Sequence, residues 1–324
     1  MRTTTPRIGL LTALIAAALA GSVPTSAQQS ALLQPGAQVC DDPDRAVSLF
    51  AEPLGNGRIG YGTTPGTASI PGPTLEMVEG ECLAVTLTND ADRRVSIHAH
   101  GVEYTVASDG TPLNDSCVAP GRSKTYFFRA HLPTTRPDGT VDAGNAGYWH
   151  YHDHCYGTDH GTGGVYAGLF GAFVVRRAGD PEPVRTCVLV MIRKTFNLRK
   201  DPRTPNCESS AGDRVEFVVI GHGDDLHTFH LHGHRWTDNR TGIAASVDDA
   251  ARLIDNKVVG PADSFGFQVI AGEHVGPGPW MYHCHVQGHS DAGMSGIFVV
   301  NTPDGRRTPA TIEALRESRH AHTH

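Results

Sequence analysis

From residue 82 onward, short runs rich in Val, Phe, Thr and Tyr recur between turns made of Gly and Pro. Runs of this length bounded by turn residues predict strands. Those expected are Cys82–Thr88, Val95–His100, Lys124–Arg129, Leu169–Arg176, Val188–Arg193, Val215–Ile220, Phe265–Ile270 and Gly296–Asn301. No long amphipathic helical pattern competes, and only Thr311–Ser318 reads as a short helix. Many short strands with many turns imply an all-β chain built from sandwiches. Its length suits roughly two domains of ordinary size.

A weak internal repeat divides the chain. Gly-Glu-Cys-Leu-Ala-Val-Thr-Leu at 80–87 leads to His98-Ala-His-Gly, as Gly-Asp-Arg-Val-Glu-Phe-Val-Val at 212–219 leads to His230-Leu-His-Gly. Further on, His150-Tyr-His is set against His283-Cys-His, and the stretch from Gly168 against the stretch from Gly293. This alignment expects domains at 32–177 and 184–303, a linker at 178–183 and a tail at 304–324. It places Tyr151 opposite Cys284, Leu169 opposite Met294 and Val95 opposite His227. The first copy therefore keeps its paired histidines and lacks the second copy's other candidate ligands.

The chemistry concentrates at His283-Cys284-His285. Successive strand side chains point to opposite faces, so both histidines face one way and Cys284 the other. One strand thus reaches two metal sites. Cys284 with His227, His289 and a weak axial Met294 is the donor set of a blue copper electron-transfer centre. His98, His100, His150, His152, His230, His232, His283 and His285 supply eight imidazoles, enough for three further copper ions with positions open to oxygen. One His-x-His is an ordinary occurrence; four complementary clusters in one chain are not.

These motifs resemble those of the multicopper oxidases, and within them the small two-domain bacterial laccases. The matching segments are His98-Ala-His-Gly, His150-Tyr-His-Asp, His227-Thr-Phe-His-Leu-His-Gly-His234 and His283-Cys-His through Met294. Thr228 stands where the family usually has Pro, which alters backbone stiffness and not ligation. The resemblance implies two cupredoxin-like Greek-key β-sandwich domains and four coppers per chain: one type 1, one type 2 and two type 3. It implies oxidation of phenols and aromatic amines, with O2 reduced to water. It also implies homotrimers in which one chain's first domain meets the next chain's second, although a monomer with a closed intrachain cluster would satisfy the same ligand count. Electrons are expected to enter at the exposed edge of His227 or His289. An axial Met implies a low to moderate blue-copper potential.

Two nearby residues are candidates for the oxygen chemistry. Asp109 follows His100 closely and suits an acid beside the cluster, or a turn before Gly110. Tyr104 suits a redox-active phenol, or plain packing. His154 and His234 each follow a candidate ligand by two residues and suit supporting hydrogen bonds. His131, His160, His222 and His274 sit in turn-rich stretches and read as surface residues. His320, His322 and His324 form a tract able to bind metal adventitiously.

Residues 1–27 read as an export signal: Arg2 and Arg7, an apolar run over 8–20, and a small-residue site at Thr25-Ser-Ala27. The run is too short for a membrane span, and secretion is expected. Its removal takes the net charge from −7 to −9, which argues against a nucleic-acid partner. Six cysteines besides Cys284 allow up to three disulfides, their pairing unreadable. Three rivals share part of the pattern: a metallo-oxidase acting on Cu(I), Mn(II) or Fe(II), a copper nitrite reductase, and a cupredoxin electron carrier. Five methionines, Met1 included, give no Met-rich insert, and neither of the last two needs eight cluster histidines.

Overall fold

The computed structural model describes residues 37–320. The expected leader and His322 and His324 lie outside the described residues. Ten strands come from residues 45–176: β1 (Arg45–Gly55), β2 (Arg58–Gly62), β3 (Leu75–Val78), β4 (Cys82–Asn89), β5 (His98–Ala99), β6 (Ser123–Arg129), β7 (Thr134–Thr135), β8 (Val141–Asp142), β9 (Gly147–His152) and β10 (Phe170–Arg176). Residues 185–301 add β11 (Arg185–Ile192), β12 (Thr195–Phe196), β13 (Cys207–Ser210), β14 (Arg214–His222), β15 (His227–Leu231) and β16 (Trp236–Thr237). The chain continues with β17 (Leu253–Ile254), β18 (Asn256–Val259), β19 (Ser264–Ile270), β20 (Gly278–Cys284) and β21 (Ser295–Asn301). A helix over Pro309–His320 follows.

The sheets run in the orders β2-β1-β4-β6 and β3-β10-β9-β5, then β12-β11-β14-β19 and β13-β21-β20-β15-β18. Each pair of sheets encloses one apolar core, so each makes a sandwich. Leu49, Val85, Tyr126 and Phe173 lie in the first core, and Met191, Phe217, Phe229 and Phe298 in the second. The connectivity repeats: β1 with β4 and β11 with β14 pair in parallel, as do β3 with β10 and β13 with β21. Of the expected strands, Val95–His100 shrinks to the two residues of β5, with only an isolated bridge at Val95.

A third apolar layer joins the sandwiches. Tyr148, Phe170, Ala172 and Val174 on the outer face of β9 and β10 meet Val190, Ile192, Val218 and Ile220 on the outer face of β11 and β14. Strands covered on both faces lose the polar half of their alternation, which is why β10 is apolar or buried throughout. Within this layer Glu216, 0 % exposed, accepts from Tyr148 Oη (2.9 Å), Thr186 Oγ1 (2.9 Å) and both Arg176 Nη atoms (2.8 and 2.9 Å). A buried carboxylate is tolerable only with such a full set of donors. The 178–183 segment is pinned by Asp180 to Arg240 (2.7 Å twice) and by Gln268 donating to Pro181 O (3.0 Å). Disulfides join Cys40 to Cys82, Cys117 to Cys155 and Cys187 to Cys207, leaving Cys284 as a buried free thiol.

Candidate metal centres

Strand alternation along β20 sends Tyr282 and Cys284 into the second core and Met281 and His283 outward. The Cys284 sulfur lies 3.8 Å from His227 Nδ1 and 3.6 Å from His289 Nδ1, and these three ligand atoms form one compact group. Cys284 N donates to Met294 O (3.0 Å), which ties the buried Met294 to the same place. Burial, reinforced by His289, lowers the His227 pKa to about 4, so its ring is neutral, the form that binds metal. Sulfur, two imidazoles and a thioether suit copper. His227 is 0 % exposed and presents no edge to solvent, whereas His289 is partly exposed.

His230, His232 and His283 form a second group. His283 lies directly opposite His230 in the β15–β20 register, and the Nε2 atoms of His283 and His232 are 3.2 Å apart. His230 Nδ1 donates to Asp255 O (2.7 Å) and His283 Nδ1 to Cys284 O (2.9 Å). Those bonds fix the ring planes and leave Nε2 free for an ion. His285 joins this group from the side, 5.2 Å from His283 and 5.5 Å from His230 between ring centroids.

The first imidazole group, that of the first sandwich, is His98, His100 and His152, and it repeats the second in detail. His98 lies opposite His152 in register, and the Nε2 atoms of His100 and His152 are 3.2 Å apart. His98 Nδ1 donates to Asp109 O (2.7 Å) and His152 Nδ1 to Asp153 O (3.1 Å). His152 is thus the counterpart of His283, and the repeat runs two residues away from the register expected above. Three further pairs agree. Trp149 donates to Asn145 O as Trp280 does to Gly276 O. Tyr151 donates to Pro73 O as Tyr282 does to Pro205 O. Asp153 N donates to Leu169 O as Cys284 N does to Met294 O.

This register corrects one expected ligand. His154 is the counterpart of His285, with its ring 4.6 Å from His98 and 4.8 Å from His152 and its buried Nδ1 without a protein partner. His150 is the counterpart of Met281 and turns its ring to His100 and His222 instead. The geometry therefore puts His154, not His150, in the first group. Gly147-x-Trp-x-Tyr-His-x-His against Gly278-x-Trp-x-Tyr-His-x-His carries that signal in the sequence. Tyr151 likewise gives way to Asp153 as the residue opposite Cys284.

Asp109 and Tyr104 both lie beside His98. Asp109 Oδ1 is 3.7 Å from His98 Nδ1, and its other oxygen accepts from Thr111 and Asn114. Tyr104 meets His98 edge-on at 5.9 Å and Phe128 at 6.2 Å. His234 supports the second group, donating to His232 O (3.0 Å) and accepting from Gly272 N (3.0 Å). Of the four expected surface histidines, His160 and His274 are exposed. His131 is held between Glu103 and Asp142, and His222 is buried at 4 % exposure. Burial lowers His100 to a pKa of about 4 and His222 to about 3.

Two multicopper oxidase family models match residues 66–180 and 183–304, so together they span most of the chain. Among curated proteins, the chain is 33% identical to the "Probable nitrite reductase-hydroxylamine oxidoreductase fusion protein" of Kuenenia stuttgartiensis, over 80% of this chain and 30% of that one. It is 27% identical to human ceruloplasmin, over 71% of this chain and 24% of that one. The chain therefore spans between about a quarter and a third of these relatives. Among solved structures, the blue copper oxidase of Nitrosomonas europaea matches with a TM-score of 0.55 at 23% identity, covering 84% of this chain and 94% of that one. The copper nitrite reductase of the same organism matches at 0.59 and 17%, covering 82% and 98%. At those identities the two structures speak for the fold alone, which is the cupredoxin fold. With both of its sandwiches matched by the family's models and the sulfur and imidazole groups assembled as described, the chain belongs to the multicopper oxidases.

Proposed function

We propose that the chain is a laccase-type oxidase, taking single electrons from phenols and aromatic amines and passing them to O2. The observation that carries this is β20 itself, where Cys284 reaches one donor group and its neighbour His283 another. When bound, copper supplies one-electron transfer at the sulfur site and oxygen reduction at the imidazole cluster. Cys284, His227, His289 and Met294 would hold the type 1 ion. The other three ions would be held by His98, His100, His152, His154, His230, His232, His283 and His285. Asp109, facing the His98 ring, is the proposed acid near the consumed protons, and Tyr104 a phenol beside the same ring.

Within one chain the imidazoles stand as two groups, because the second sandwich turns β11 and β14, not β15 and β20, toward the first. The face carrying His230 and His283 also carries the exposed apolar Val258 and Met281. These features support a ring in which each chain's first group meets the next chain's second, and the resemblance to the two-domain members makes that ring a homotrimer in this reading. Three disulfides, with the leader expected over residues 1–27, support secretion.

Likeness to ceruloplasmin and to a nitrite reductase fusion favours a metallo-oxidase or a nitrite reductase as second readings. One set of measurements separates them, on protein lacking residues 320–324: copper per chain, visible spectrum, mass by light scattering, and oxygen uptake. Four coppers, a blue band, a trimer and phenol-dependent uptake are expected. Uptake with Fe(II), Cu(I) or Mn(II) but not phenols, or nitrite consumption without oxygen uptake, overturns the laccase reading.

A further inference from the structure

The cluster imidazoles differ in what holds their rings. His98, His152, His230 and His283 each donate Nδ1–H to a backbone carbonyl. His100 has no such carbonyl among the described residues. Its ring instead lies against His150, with centroids 4.0 Å apart and planes inclined by 23°. The two are cross-strand neighbours, His100 N donating to His150 O (2.9 Å), so their rings share one face of the sheet. On its other side His150 meets the ring of His222 at 4.9 Å and 89°, and His222 in turn rests on Phe170 at 5.8 Å.

His150 is 1 % exposed and His222 4 %. Both ring nitrogens of His150 and Nε2 of His222 are buried without a protein partner, a cost that ordinary core packing avoids. His222 comes from the far sandwich, two residues beyond Ile220 on the face of β14 that meets the first sandwich.

We propose that His150 and His222 are positioning residues: the buried His150 ring stacks on His100 and sets its plane, and the His222 ring, from the other sandwich, holds His150 edge-on. This rests on the reading above that His100 holds copper. A flat ring lying under another blocks tilt, so the stack does for His100 what a carbonyl does for His98 and His152. The second group shows the contrast, since the counterpart of His150 there is Met281, 46 % exposed. The first group is therefore set by its own chain, before any neighbour arrives.

The test is copper titration of the full metal-free chain against a competing chelator, with the blue band recorded alongside. Supporting contacts to metal ligands are worth about ten- to a hundredfold in affinity, so His150→Ala should weaken cluster copper by about tenfold or more. His222→Ala should weaken it less, and both variants should keep the blue band. His150→Phe keeps a flat ring and should restore most of the affinity lost in His150→Ala. Unchanged affinity in His150→Ala or His222→Ala overturns the stack. So does a His150→Phe as weak as His150→Ala, which would make a nitrogen the active feature. His100→Ala runs in parallel: if it too leaves cluster copper unchanged, the copper reading of this group fails, and not the stack alone.

Discussion

Asp153 and Cys284 occupy the same place in the two sandwiches, each donating its N–H to the residue that precedes the last strand of the pair, Leu169 or Met294. The second sandwich uses the place for a sulfur facing two imidazoles. The first uses it for a carboxylate that accepts from the N–H groups of Ser96 (2.7 Å), Cys155 (3.0 Å) and Tyr156 (2.6 Å). Burial raises the Asp153 pKa to about 7. A Cβ added to Gly164 would sit 2.2 Å from its Oδ2, so the short helix Thr162–Ala167 packs directly over the carboxylate. No room or donor set for a second blue site remains there.

Cys284→Ser should abolish the blue band and phenol oxidation while leaving the cluster copper bound. A visible spectrum with copper analysis decides it; a retained blue band would remove Cys284 from the donor set.

His154→Ala should lose cluster copper and oxygen uptake while keeping the blue band. The exposed His274→Ala provides the control and should lose neither. Full copper content in His154→Ala would restore the register in which His150 is the ligand.

Arg176→Met should cost about 3–5 kcal/mol, because it leaves the buried Glu216 carboxylate without its counter-charge. Burial alone would raise the Glu216 pKa, but the hydrogen bonds and charge of Arg176 outweigh it and the net shift is downward. The parent therefore holds this stability above the ordinary carboxyl range and loses it as acid protonates the Glu216 carboxylate. In the variant burial dominates, so the sign reverses and stability falls as pH rises through that range. Urea unfolding at about pH 4 and about pH 7 measures both slopes.

Gly101→Ala should disturb the first copper group. Gly101 has φ +73°, and an added Cβ would lie 1.9 Å from the Trp149 ring, which neither side can relieve cheaply. Reduced cluster copper with an intact blue band is expected. Unchanged copper and thermal stability would show that the turn after His100 yields more easily than its contacts imply.

Much of this is legible in the residues. Seven of the eight expected strands form within a few residues of their expected bounds, because each is a short apolar run between turn formers. The hairpin of β1 and β2 is not legible in the same way, since the ends of β1 are exposed and carry polar residues, Pro and Gly. The two-residue slip at His150 arises from aligning His-x-His alone, a pattern that His150-Tyr-His-Asp-His154 satisfies twice. The Gly, Trp and Tyr that precede the histidines select between the two choices, and the strand register and their hydrogen bonds agree. His222 is unreadable for a different reason: its neighbours Gly221 and Gly223 look like a turn, and its burial comes from a sandwich more than fifty residues away in the chain.

The alternation of β20 has one more consequence. The residues that face the two donor groups are consecutive members of one hydrogen-bonded strand, so no hinge, loop or domain movement can lengthen the path between them. On the proposed function, whatever flexes around His289 to admit different electron donors would leave that internal spacing untouched. The donor-facing surface could then diverge, by mutation or by design, without retuning the oxygen-facing end.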